Sequence, residues 1–98
     1  MSRRKHNDQP LKDALQEMLQ VYRLDQKFRQ KKMIASWGKI MGASVANRTT
    51  QLQFRDKKLF VYLSSASLRE ELFNARDKIR NLLNEEAGAE IVDEIVFS

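Results

Sequence analysis

The sequence predicts an α+β two-layer sandwich, with elements in the order α-α-β-β-α-β and a three-stranded sheet. Two alternating runs separated only by Asp56-Lys57-Lys58 predict a β-hairpin. Apolar stripes of helical period before and after that hairpin predict helices, each needing a second layer to cover its apolar side. The composition agrees: 98 residues, 42% hydrophobic and 32% charged, suffice for one small packed domain.

Residues 1–7 (MSRRKHN) show no periodicity and are expected to form a disordered basic tail, leaving 8–98 as a single domain. Asp8 can cap a first helix with Pro10 in its first turn, where a missing N–H costs little. Leu11, Leu15, Met18, Leu19 and Tyr22 then share one stripe. The pattern loses phase around Leu24–Phe28, which places a turn there. A second helix is expected over residues 28–41, where Met33, Ile34, Trp37, Ile40 and Met41 lie within about 60° of one direction. Gly42 ends it, and Ala43–Ala46 add a short turn.

Thr50–Arg55 puts Leu52 and Phe54 on one face, and Leu59–Ser64 puts Leu59, Val61 and Leu63 on one face with Phe60 and Tyr62 on the other. Ser67-Leu68-Arg69-Glu70 has the form of a capping box. Leu68, Leu72, Ala75, Ile79, Leu82 and Leu83 carry the stripe of the following helix to Gly88. Ile91–Phe97 is β-branched and reads as the third strand. Trp37, Ile34, Ile40, Leu72 and Ile79 are the expected core, and Trp37, at the centre of its stripe, is an anchor rather than a stacking platform.

The chemistry offered is narrow. Without cysteine there is no disulfide, no thiolate and no Cys-built zinc site, and His6 alone cannot make a metal site, so neither metal nor cofactor is expected. Ser64, Ser65 and Ser67 have no histidine partner. Glu70/Glu71 and Glu85/Glu86 are adjacent helix positions that diverge and do not converge on a substrate. No glycine-rich phosphate loop is present. No enzyme is expected. No apolar run approaches the roughly 20 residues of a membrane span, so no membrane partner is expected. The basic N-terminus is not followed by an apolar stretch, so no signal peptide is expected and a cytoplasmic location follows.

Charge is the positive signal. Residues 1–58 hold 14 Lys/Arg and 5 Asp/Glu, whereas 59–98 hold 4 and 8. Arg3, Arg4, Lys5, Lys27, Arg29, Lys31, Lys32, Arg48, Arg55, Lys57 and Lys58 could neutralise phosphates without reading sequence, or simply form a solvated face. Phe60 and Tyr62 are candidates for base stacking if their face is open, against cross-strand packing or a dimer contact.

Ser36-Trp37-Gly38-Lys39-Ile40-Met41-Gly42, followed by Val45-Ala46 and Arg48-Thr49, resembles the W-x-x-(I/V)-(V/M)-G-x-x-(I/V/L)-A-x-x-T segment of the DciA family. The resemblance continues through Leu59–Ser65, Glu71-Leu72 and the Gly88…Ile95 ending, about residues 11–97. It implies a fold like the type II KH domain, DNA binding and recruitment of the DnaB-type replicative helicase, and so a nucleoid-associated place in the cell. Single-stranded DNA is expected ahead of RNA. A KH-type G-x-x-G loop is absent, so phosphate contacts would come from Lys and Arg side chains. Many relatives carry a long further segment; here helicase contact is expected from the folded part, at a sheet edge and at Glu85, Glu86 and Glu90, facing away from the basic half. The alternative is a protein–protein adaptor that binds no nucleic acid.

Overall fold

The structure, a computed structural model, describes the backbone from residue 2 and the side chains from residue 9. Its elements are α1 (Ser2–Ala35), α2 (Trp37–Met41), α3 (Ala43–Arg48), β1 (Thr49–Arg55), β2 (Lys58–Leu63), α4 (Ala66–Asn74), α5 (Arg76–Ala87) and β3 (Glu94–Phe97). Helical segments and strands follow the expected α-α-β-β-α-β layout, with α2–α3 and α4–α5 each a helical run broken once. The sheet has the order β1-β2-β3, with β1 antiparallel and β3 parallel to the central β2. α4 and α5 pack across one face of it.

β2 drives the packing by simple alternation. Leu59, Val61 and Leu63 are buried on the helix side, where they meet Leu72 of α4, Ile79 and Leu83 of α5, and Ile95 of β3. Met33 and Trp37 close the core from the end of α1 and the start of α2. Of the expected core, Trp37, Leu72 and Ile79 are buried, whereas Ile34 and Ile40 are half-buried. The hairpin turns at Asp56, whose φ of 53° is a left-handed conformation that a short polar side chain tolerates.

The largest departure is α1. It is one helix through residues 24–28, where a turn was expected, and it runs from Ser2 with Pro10 inside it rather than in a first turn begun at Asp8. The loss of phase marks a change of surroundings, not a stop. Nothing from Leu24 to Gln30 is a helix breaker, and Asp25 and Arg29 pair one turn apart, Nε to Oδ2 at 2.9 Å. Upstream of the turn that docks on α5, no other element among the described residues packs closely on the helix, so Leu11, Leu15, Met18, Leu19 and Tyr22 are exposed rather than packed. The molecule is therefore 64 Å long and only 20 Å across. Residues 2–7, expected as part of a tail, belong to the backbone of α1, and their side chains lie outside the described residues.

Three smaller corrections have local causes. The cap of α4 is Ser65, not Ser67: its Oγ accepts the Leu68 N–H at 3.3 Å. The helix expected from there to Gly88 is interrupted at Ala75, which leaves the helical region with φ −101° and ψ 13°. β3 is shorter than the expected Ile91–Phe97, because Asn84 Oδ1 takes the N–H groups of Ile91 and Val92 at 3.0 and 2.9 Å. Those two residues are fully buried without belonging to a strand.

One buried polar group ties these parts together. Gln30, 7% exposed, donates from Nε2 to the carbonyls of Asp56 in the hairpin turn and of Ile91 after α5. Gln30→Leu leaves both carbonyls without that donor, and should lower unfolding stability by about 1–3 kcal/mol in a urea titration. Ser65→Ala should cost about 1 kcal/mol in the same measurement and Ser67→Ala less, because only Ser65 caps the helix.

Candidate nucleic-acid interface

Because α4 and α5 pack on one side of the sheet, the other side is free of them, and the β2 alternation decides what it shows. Lys58, Phe60 and Tyr62 point there. The register sets Arg55 beside Lys58, Gln53 beside Phe60 and Gln51 beside Tyr62 on the β1 side. On the β3 side Glu94 lies beside Lys58 and Val96 beside Phe60. The two aromatic side chains are half-buried by these neighbours, and the Arg55 guanidinium lies 5.8 Å from the centre of the Phe60 ring, within cation–π range. Arg55, Lys58, Phe60 and Tyr62 thus share one surface.

The other basic residues are in different situations. Lys57 and Lys58 meet Asp93 at 3.4 Å and Glu94 at 3.5 Å, so β3 returns negative charge to the hairpin tip. Arg29, besides pairing with Asp25, donates from a terminal nitrogen to the Ala87 carbonyl, fastening α1 to the end of α5. Arg48 bonds to the carbonyl and hydroxyl of Ser44, one turn back, at 3.1 and 3.2 Å. Lys27, Lys31 and Lys32 are exposed on α1, which packs on α5, and none is in an ion pair among the described residues. The side chains of Arg3, Arg4 and Lys5 lie outside the described residues.

The acidic side of the chain does not keep to itself. Glu85, Glu86 and Glu90 are exposed at and beyond the end of α5. Glu86 does not face away from the basic half: it lines an open groove with Lys32 and Lys39. Folding packs the last turns of α1 along α5, so charges separated in sequence become neighbours. Among the described residues no group of acidic or histidine side chains could hold a metal, and no helix is long and apolar enough to cross a membrane.

Lys39 was absent from the sequence candidates although a signal for it existed. It follows Lys32 by seven residues, about two helical turns. Ser36 barely interrupts the helix between them, its N–H bonding to the Lys32 carbonyl at 3.1 Å. Gln30 gave no such signal, because nothing in a polar side chain announces two carbonyl partners distant in sequence.

The segment from Trp37 to Thr49 carries most of the residue-specific detail. The buried Trp37 indole donates from Nε1 to Thr49 Oγ1 at 3.0 Å, and Thr49 Oγ1 donates onward to the Val45 carbonyl at 2.8 Å. Gly42, at φ 94°, joins α2 to α3 in a conformation that L side chains rarely adopt. A Cβ on Gly38 would come within 3.3 Å of Ala46 Cβ, so the two helices meet at a pair of small residues.

A family model described as Dna[CI] antecedent, DciA, matches residues 10–97. No curated protein matches the chain, and no solved structure does. The matched span runs from Pro10 within α1 to Phe97, the last residue of β3, and includes the whole Trp37–Thr49 arrangement. The chain belongs to the DciA family, which is involved in loading the DnaB-type replicative helicase.

Proposed function

We propose that this chain is a non-enzymatic nucleic-acid-binding protein that assists recruitment of the replicative helicase, and that it prefers single-stranded DNA to RNA. The observation that carries the nucleic-acid reading is the helix-free face of the sheet, with Phe60 and Tyr62 at its centre and Arg55 and Lys58 beside them. Aromatic faces stack on any base and cations track any phosphate chain, so such a surface binds single strands with little sequence preference. Lys27 and Lys31 supply further positive charge from α1. Residues 8–98 act as one unit in this reading, with the basic residues 1–7 adding electrostatic reach. The element order supports a likeness to the type II KH domain, but phosphates are held by side chains rather than by a glycine-rich loop. A cytoplasmic, nucleoid-associated location follows from the DNA partner.

Helicase contact fits a different surface: the exposed carboxylates of Glu85, Glu86 and Glu90, or a free sheet edge. Placing DNA on the sheet and protein at the helix ends lets both bind at once. The second reading, an adaptor without nucleic-acid binding, draws on the exposed apolar residues of α1.

Fluorescence anisotropy with several unrelated single-stranded oligonucleotides across a salt series tests the proposal. The double variant Phe60→Ala, Tyr62→Ala should weaken binding by about 1–3 kcal/mol per unstacked base while leaving the salt slope unchanged. The double variant Lys27→Gln, Lys31→Gln should flatten the slope by about one unit for each phosphate that is no longer neutralised. The partly neutralised pair Lys57→Gln, Lys58→Gln should flatten it less. Absence of binding by the wild-type protein at low salt supports the adaptor reading instead.

A further inference from the structure

An open groove of about 550 Å³ runs between α1, α2 and α5, away from the helix-free face of the sheet. One wall is the α1 ridge that carries Phe28 and Lys32, one turn apart; the other is the α5 ridge that carries Leu82 and Glu86, also one turn apart. Ile40 and Lys39 of α2 close the end. Phe28 is 66% exposed and Leu82 39%, an unusual cost for two large apolar residues facing each other across a groove. Leu24, also exposed, extends the apolar α1 ridge by one turn beyond Phe28.

Charge says what belongs there. Arg29, at the groove wall, is committed to Asp25 and to the Ala87 carbonyl. Lys32 and Lys39 have no ion-pair partner among the described residues, and Glu86 lies in the same lining without pairing to either. Two uncommitted ammonium groups beside an aliphatic and aromatic floor call for an occupant that is apolar on one side and acidic at its margins. A nucleic acid strand would satisfy the lysines but would leave Leu82 and Ile40 against a charged backbone. An amphipathic helix satisfies both sets of groups.

We propose that this groove docks an acidic amphipathic helix of another protein, its apolar face on Phe28, Ile40 and Leu82 and its carboxylates on Lys32 and Lys39. This is helix-in-groove recognition, in which residues spaced three and four apart fill the groove and charges at the rim select the partner. Glu86 acts against affinity and so sharpens the demand for correctly placed acids. The proposal does not depend on the nucleic-acid reading, since none of Phe28, Lys32, Lys39, Ile40 and Leu82 is among the residues proposed above to hold DNA.

The test uses the full chain and a designed probe: a labelled, end-blocked peptide of about 14 residues, long enough to form helix, with leucines at helical spacing and flanking glutamates. A scrambled peptide and one with lysine in place of glutamate are controls. The acidic peptide should bind the wild-type protein, and amide shifts should concentrate at Phe28, Lys32, Lys39 and Leu82. The double variant Lys32→Glu, Lys39→Glu should weaken it by at least about tenfold, equivalent to about 1.4 kcal/mol. Phe28→Ser should weaken it comparably without lowering the melting temperature, because the ring is exposed. Glu86→Gln should tighten it several-fold. No binding by the wild type, equal binding of the lysine peptide, or shifts confined to Leu11–Tyr22 would overturn the proposal. So would a thymidine oligonucleotide that shifts the groove residues and competes with the peptide.

Discussion

An indole N–H buried in a protein this small must find an acceptor, and much of the fold is arranged around that requirement. Trp37 fills the junction where α1 hands over to α2, and only a polar oxygen at one place can accept its hydrogen bond. Thr49 supplies the oxygen and its hydroxyl donates in turn to the Val45 carbonyl, so one chain of two hydrogen bonds links α2, α3 and the first residue of β1. That fixes where β1 begins, and with it the hairpin register and the face on which every later β2 residue falls. The tight return from Trp37 to Thr49 in turn requires Gly42 at positive φ and two small residues where α2 meets α3.

The electrostatics of the folded chain differ from those of the sequence. The first half is strongly basic and the second acidic, which suggests two faces of opposite sign. The parallel pairing of β3 against β2 instead brings Asp93 and Glu94 to Lys57 and Lys58, and α5 lays Glu86 beside Lys32 and Lys39. Exposed ion pairs such as Lys57–Asp93 and Lys58–Glu94 contribute little to stability, about 0–1 kcal/mol each. Their effect is on recognition: they neutralise the hairpin tip, whereas Lys27, Lys31 and Lys32 of α1, Lys39 of α2 and Arg55 stay outside ion pairs among the described residues.

Local pattern was a good guide where it was tied to one element. Alternation in Leu59–Leu63 told which residues would be buried, and the spacing from Leu68 to Leu83 located the covering helices. It failed where the partner of a residue lies far along the chain. Gln30, Asn84 and Arg29 each hold backbone groups of another segment, and a single sequence offers no sign of such pairs. The α1 stripe failed differently: its residues are amphipathic as a core helix would be, yet nothing among the described residues covers them. Amphipathicity reports that a face is meant to be covered, not by what. Of the candidate interface, the Phe60–Tyr62 face was legible from alternation, whereas the separation of free cations from neutralised ones required the strand order.

The unbroken course of α1 has a mechanical consequence. At about 1.5 Å per residue, the nineteen steps from Leu11 to Gln30 set Leu11 roughly 28 Å from the point where the helix is anchored to the hairpin and the α5 loop. Gln30 and Arg29 act as the clamp, and the Asp25–Arg29 pair stiffens the helix just before it leaves the body. Anything gripping Leu11 and Leu15 is held at a set distance and angle from the sheet, as by a ruler. A hinge at residues 24–28 would have turned that ruler into a tether, and the geometry between two bound partners would then be lost.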